Sequence, residues 1–462
     1  MEANFEQAVK KLINDFECPT ESLKEAMKEF DELRKKGLSN DGEMLAMAPA
    51  YISSLPTGQE QGDFLALDLG GTNLRVCWVR LLGQGKYDIK QSKATLPREC
   101  IRNESSQPLV DFACDHIENF LKENFSSKFG CPESEFLPMG FTFSYPMNQT
   151  SIVDTTLIRW TKGFNIPEAI GQDFGTTLTE GMRIRKLPVV IEAVINDTVG
   201  TLVTRAYTSC ANNTIMGVIF GTGSNGAYVE NVDQIPKMAG KVNKKKMLLN
   251  IEWGATNFTS LPATRYDLLL DHDTPNPGRQ MFEKRVSGMY LGELLRRSLF
   301  HLIKVYNFNN GIFPPSITDA WSLETSVVSR IVANRSVENV KEVLRPYSIR
   351  FRSDEEALLI YDAAYCIGRR SARISAVPIA SLYLSTGHAG KQADVGVDGS
   401  LVEHYPNFLG MLRESLKDLI GDDEKNITIG IAKDGSGIGA ALCALQAVKE
   451  NKTIEVGNYP LK

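Results

Sequence analysis

Two short glycine-rich turns, Asp68-Leu69-Gly70-Gly71-Thr72-Asn73 and Gly221-Thr222-Gly223-Ser224-Asn225-Gly226, are the segments of this chain best suited to chemistry. Each follows an apolar run, Phe64 to Leu67 in one case and Ile215 to Phe220 in the other. Each is followed by a second strand-like run, Leu74 to Leu81 and Ala227 to Val229, so both predict β-hairpins. Glycine lets a backbone come close to an anion, and consecutive turn N–H groups cradle phosphate oxygens. Two such turns, far apart in the chain, imply two halves closing on one nucleotide, and hence phosphoryl transfer. Either turn alone is equally well explained as a tight hairpin. Gly221, Gly223 and Gly226 also satisfy G-x-G-x-x-G, but a dinucleotide site needs a helix next, and Ala227 to Asn231 is short and β-like. Gly387 to Gln392 is too short for a Walker loop and lacks the hydroxyl residue after its lysine.

Transfer from ATP to an alcohol needs Mg²⁺ and backbone donors on the phosphates, and a carboxylate that orients the acceptor hydroxyl and takes its proton. Asp197 is the candidate base. It follows the apolar strand Pro188 to Ile195 and opens a helix from Thr198 to Tyr207, where an aspartate is ordinarily an N-cap. Asp68, at the mouth of the first turn, is placed to hold Mg²⁺ through water. A strand from Asn426 to Ile431 leads to Asp434-Gly435-Ser436-Gly437-Ile438-Gly439, with a helix expected from Ala440 to Lys449. That entrance suits a nucleotide contact by backbone and dipole, or simply close strand–turn–helix packing. Four polar strings add to the set: Phe143 to Pro146 around Ser144, Trp160 to Phe164 with Thr161 and Lys162, Glu252-Trp253-Gly254, and Pro277 to Gln280 leading to Glu283. Glutamates and asparagines at element ends suit a sugar, whose hydroxyls both donate and accept. Any one of these strings alone is an ordinary surface loop.

The scaffold that must hold these groups is large. A chain of 462 residues, 42% hydrophobic, suggests two domains or lobes. Phe5, Val9, Leu12, Ile13 and Phe16 mark an N-terminal helix expected to pack on its own domain, and a second helix is expected from about Ser22 to Lys36. Lys86 to Leu96 reads as a third strand beside the first hairpin. A net charge of −5 and the lack of a basic stripe argue against nucleic acid, and Lys241 with Lys244 to Lys246 reads as solvated loop. No run is apolar and long enough to span a membrane, and the five histidines show no metal spacing. Eight scattered cysteines and no recognisable secretory signal predict reduced thiols in the cytosol.

Leu65 to Arg75 closely resembles the first phosphate segment of eukaryotic hexokinases. Phe141 to Pro146, Trp160 to Phe164, Ile195 to Thr201, Gly221 to Gly226 and Asp434 to Gly439 continue the likeness in order from about Leu55 onward. Phe282 to Glu293 and the Ser-Tyr-Pro string look most like the fungal glucokinase branch. The resemblance implies the actin-like ATPase (ribonuclease H-like) α/β fold, with two lobes around a hinged cleft. It places the small lobe at 63–197, completed by 434–462, and the large lobe at 1–62 and 198–433. It implies sugar contacts at Ser144, Thr161, Lys162, Asn196, Asp197, Asn225, Glu252, Gln280 and Glu283, with Asp197 and Lys162 catalytic. Nucleotide contacts fall on Asp68, Leu69, Gly70, Gly71, Thr72, Asn73, Arg75, Gly221, Thr222, Gly223 and Ser224, and on Asp434, Gly435, Ser436, Gly437 and Gly439. The implied substrates are D-glucose and ATP with Mg²⁺, and the implied state is a monomer or weak homo-oligomer. Two rivals are a catalytically silent sugar sensor and a chaperone- or filament-type ATPase; the latter has no need of Glu252 and Glu283.

Overall fold

The apolar run Phe64 to Leu67 shows no polar alternation because its strand, Gln61–Leu69, is covered on both faces. In the computed structural model, which describes residues 2–451, that strand is the centre of a five-stranded sheet. Asn73–Gly83 pairs antiparallel on one side with Lys86–Thr95 beyond it, while Leu137–Phe143 and then Val189–Ile195 run parallel on the other. A second sheet repeats the plan around Thr214–Phe220. Ser224–Asn231 and Lys246–Asn250 lie antiparallel on one side, Ala393–Asp398 and Ile427–Ile431 parallel on the other. A two-residue strand, Ala48–Pro49, is added at its edge. In each sheet a glycine-rich turn joins the central strand to its antiparallel neighbour. The two turns are therefore the same position in a repeated topology.

Helices cover both sheets. The N-terminal helix, Glu2–Phe16, buries Phe5, Val9, Leu12 and Phe16 in the core around the second sheet, followed by Thr20–Ser39. Its apolar stripe is thus consumed within its own domain, as expected. A second core lies over the first sheet, under Gln107–Asn124 and Phe174–Ile184, and a third lies between the sheets around Asp197–Ser209 and Gly435–Asn451.

Two element ends differ from expectation. The last helix starts at Gly435, not Ala440, so the glycine string is its first turn and a half. Glycine is a poor helix former and the string reads as a turn, but here it buys close approach. A Cβ on Gly439 would lie 2.3 Å from Gly200 Cα, and one on Gly140 would lie 2.1 Å from the Ala440 carbonyl oxygen. The helix therefore rests directly on Asp197–Ser209 and on the first sheet. The second difference is at Asp197, which is the first helical residue. The cap is Asn196, whose Oδ1 accepts from the Thr198 amide at 3.0 Å and its hydroxyl at 2.7 Å. Of the tail assigned to the small lobe, 452–462 lies outside the described residues.

Candidate active site

On the first phosphate turn, Asp68 and Arg75 are direct cross-strand partners. Asp68 Oδ2 accepts from Arg75 Nη2 and from the Ser436 hydroxyl, each at 3.0 Å, and Arg75 Nη1 reaches Asp434 Oδ1 at 3.2 Å. Arg75 Nη2 also donates to Ser436 Oγ at 2.8 Å. The Arg75 guanidinium clamps the turn to the start of the last helix. Gly439 faces Gly200, a packing demand of its own. Tyr145 donates to the Gly70 carbonyl at 2.9 Å, and the Gly70 amide donates to Asn73 O at 3.0 Å.

Asp68 Oδ1 makes no hydrogen bond among the described residues, which also hold no cluster of three or more metal-ligating side chains. Mg²⁺ keeps several waters and takes one or two carboxylates plus phosphate oxygens, and Asp68 fits that donor set.

The turn glycines Gly70, Gly71, Gly221 and Gly223 all have negative φ, so conformational freedom is not what requires them. Space is. A Cβ on Gly71 would lie 3.0 Å from Lys162 Cβ, and one on Gly223 would lie 2.6 Å from Glu283 Oε2. Both turns are therefore shaped around the residues expected on the sugar side.

Those residues converge. Glu252 Oε1 accepts from Asn250 Nδ2 at 2.8 Å and Asn225 Nδ2 at 3.2 Å, while Asn225 Oδ1 accepts from the Glu252 amide at 3.0 Å. Glu283 Oε2 accepts from the Ser224 amide at 3.0 Å, and both that amide and the Gln280 side chain act to lower the carboxylate's pKa. The Ser144 side chain acts to lower the pKa of Asp197, and Lys162 Nζ donates to the Ser144 carbonyl at 2.9 Å over the Tyr145 ring. Beneath this loop an aromatic bed of Tyr145, Trp160 and Phe164 packs, with Trp160 Nε1 bonded to Ile166 O at 2.8 Å. Thr161 accepts from the Phe164 amide through its carbonyl, and its side chain makes no bond among the described residues. Lys162, Glu252, Gln280 and Asp434 all hold left-handed backbone conformations, with φ between 54° and 60°. Such conformations cost energy for non-glycine residues and persist where the surroundings over-determine them.

Burial raises the pKa of Asp197, Glu252 and Glu283 above the ordinary carboxylate range, and Lys162 opposes the shift at all three. Asp68 raises Asp197 further, Asp197 raises Glu252, and Glu252 raises Glu283. Three carboxylates and one ammonium thus act on one another electrostatically, beside the two glycine-rich turns.

Sequence reading missed several groups here. Asn250 bridges Asn225 and Glu252 but looks like the plain end of an apolar strand. Asp398 and Gly399 end the strand beside the second turn. A Cβ on Gly399, whose φ is 112°, would lie 2.6 Å from the Phe220 carbonyl oxygen. Burial, with Glu403, Asp197 and Asp434 nearby, pushes the Asp398 carboxyl up to about 6. Its signal was an apolar strand ending in Asp398-Gly399-Ser400, the same arrangement noted at Asp434.

Two α/β lobes of repeated topology, each offering a phosphate turn to one cleft, define an actin-like ATPase fold fitted as a sugar kinase. Family models described as hexokinase match residues 8–207 and 215–446. The chain is 74% identical to Hexokinase-2 of Schizosaccharomyces pombe over 98% of its own length and 99% of that protein's. It is 40% identical to the glucokinase of Aspergillus niger, covering 95% and 97%. The structure of hexokinase from Schistosoma mansoni complexed with glucose superposes with a TM-score of 0.86 at 29% identity, over 96% of this chain and all of that one. The chain belongs to the hexokinase family, and it is a kinase of the hexokinase and glucokinase type.

Proposed function

We propose that this chain transfers the γ-phosphoryl group of ATP to the 6-hydroxyl of D-glucose, the first step of glycolysis, with Asp197 as general base. The observation that carries the assignment of roles is the convergence of Asp197, Glu252 and Glu283 on Lys162. Glu252, Glu283, Asn225, Asn196 and Gln280 accept and donate to the sugar hydroxyls, and lobe closure brings Ser144, Thr161 and Lys162 onto the sugar. Closure of the lobes excludes water, which otherwise competes as acceptor. Asp197 takes the 6-hydroxyl proton as that oxygen attacks, and Lys162 offsets charge on the transferring group. Mg²⁺ held near Asp68 supplies charge neutralisation on the phosphates.

We assign a monomer or weak homo-oligomer as the working unit. Unpaired thiols suit a reducing compartment, and we assign the protein to the cytosol. Among the described residues no helix is long and apolar enough to cross a membrane.

The deciding experiment is ATP-dependent phosphorylation of glucose, mannose and fructose side by side on the purified chain. Fast turnover of glucose with little on fructose defines a glucokinase; comparable fructose turnover defines a general hexokinase. A folded chain that binds glucose yet releases no sugar-dependent ADP is a sensor, and the proposal fails.

A further inference from the structure

Met247-Leu248-Leu249-Asn250-Ile251 is a buried run with one polar residue in it. Asn250 is 7% exposed, and its four neighbours are 1% exposed or less. A buried amide costs stability unless its donors and acceptor find partners. The sheet does not require this one, because the main chain of Asn250 already stands between Ala227 and Ala48 in the ladder. What the side chain touches accounts for it.

An ionised carboxylate only accepts, so Glu252 Oε1 demands a donor from Asn250 and fixes its Nδ2 at 2.8 Å. Asn250 Oδ1 then faces Asn225, which must present its own Nδ2, at 2.9 Å. Asn225 Oδ1 is left to the amides of Gly226, at 2.7 Å, and Glu252, at 3.0 Å, which can only donate. One orientation satisfies every group, and reversing either asparagine sets like against like. Glu252 itself holds a left-handed backbone conformation, φ 60°, of the kind that persists where the surroundings over-determine it. Its amide is held by Asn225, and its carboxylate by Asn250 and, at 3.2 Å, by Asn225. Both bonds to the carboxylate fall on Oε1, and Oε2 makes none among the described residues. The Thr198 hydroxyl stands 3.4 Å from Asn250 Oδ1, so the same amide abuts the first turn of the helix that carries Asp197.

We propose that Asn250 is a positioning residue for sugar binding: it pins Glu252 Oε1, so that Oε2 is the oxygen offered to a hydroxyl donor of the substrate. The inference rests on the proposed role of Glu252 as a sugar contact. Asn250 never touches the sugar and acts through the carboxylate alone. Its electrostatic effect has the same direction. Burial raises the Glu252 pKa and Asn250 opposes that most, with Arg159 and Lys162 assisting and Asp197 adding to the rise. Glu283 is the remaining charged neighbour.

The test measures glucose binding to the full chain by calorimetry, without nucleotide, from neutral pH downwards. It compares the parent with N250A, E252Q and the double variant N250A/E252Q. Circular dichroism checks the folding of each, and N250S takes the place of an N250A chain that does not fold, its hydroxyl being one bond short of the lost amide nitrogen. N250A is expected to weaken glucose binding at least about tenfold, the effect of losing a hydrogen bond to a charged group. In the E252Q background the same change is expected to cost less than about threefold, because the group it acts through is gone. Removing a donor from the ionised form favours the neutral acid, so the pH at which affinity falls on acidification moves up in N250A. It does not move between E252Q and the double variant. Equal cost in both backgrounds, or an unmoved profile in N250A, makes Asn250 a structural residue and overturns the proposal. If E252Q binds glucose as the parent does, it is the assignment of Glu252 to the sugar that fails, and this inference falls with it.

Discussion

Glu283 Oε2 occupies the space where any side chain on Gly223 would stand, 2.6 Å from the position of its Cβ. The same carboxylate accepts from the Ser224 amide, so the second glycine-rich turn and the acid proposed to meet the sugar are built as one piece. Movement at one is movement at the other.

Gly223→Ala is therefore expected to damage both substrates at once. Displacing the Glu283 carboxylate by about an ångström costs on the order of 10²-fold in kcat/KM for glucose. The Michaelis constant for ATP rises as well. Steady-state kinetics with each substrate varied in turn checks this; an effect confined to ATP would show that the shared geometry is unimportant.

Asp197→Ala is expected to keep the fold and lose at least about 10² in turnover, the lower bound for a missing general base. Near-normal turnover in a folded variant would falsify the assignment.

The pH dependence follows from the direction of the Asp197 shift. Its native pKa stands above the unfolded value because of burial, with Asp68 adding and Lys162 opposing. The base must be ionised, so kcat/KM declines on the acid side at a pH above the usual aspartate range, and Asp197→Asn abolishes that limb. In stability the sign is reversed. The native state holds the proton more tightly, so this group's contribution falls as pH rises through the gap between the two pKa values. Asp197→Asn is expected to be at least as stable as the parent at pH 7, measured by denaturant titration.

Arg75→Met removes the clamp joining Asp68, Asp434 and Ser436. Loss of a charged hydrogen bond of this kind is worth about 1.5–3 kcal/mol. The expected result is an ATP Michaelis constant raised roughly tenfold or more, with glucose binding measured in the absence of nucleotide little changed. Equal weakening of glucose binding would point to a general collapse of the small lobe instead.

Gly200→Ala tests packing rather than chemistry. A Cβ on Gly200 would lie 2.7 Å from the Gly435 carbonyl oxygen, and the overpacking expected from an added methyl costs about 1–3 kcal/mol. A lowered melting temperature is the expected readout. No change would mean that the helix can slide away without loss.

The sequence alone determined the local devices. Both hairpin turns, the strand that delivers Asp197 and the amphipathic N-terminal helix are legible because apolar periodicity and glycine placement are set by neighbouring residues. The polar strings around Ser144, Lys162, Glu252 and Glu283 were legible only as loops, and their common purpose came from resemblance. Tertiary structure decided why the turns need glycine: Lys162 and Glu283, distant in sequence, stand where side chains would be. It decided that Asp434 to Gly439 is mostly helix, since contact with Gly200 and the first sheet outweighs glycine's poor propensity. It brought Asn250 and Asp398 to the site, because the register of neighbouring strands is a long-range property. The raised carboxylates belong to the fold as well, for a pKa depends on burial and on charges that only folding brings together.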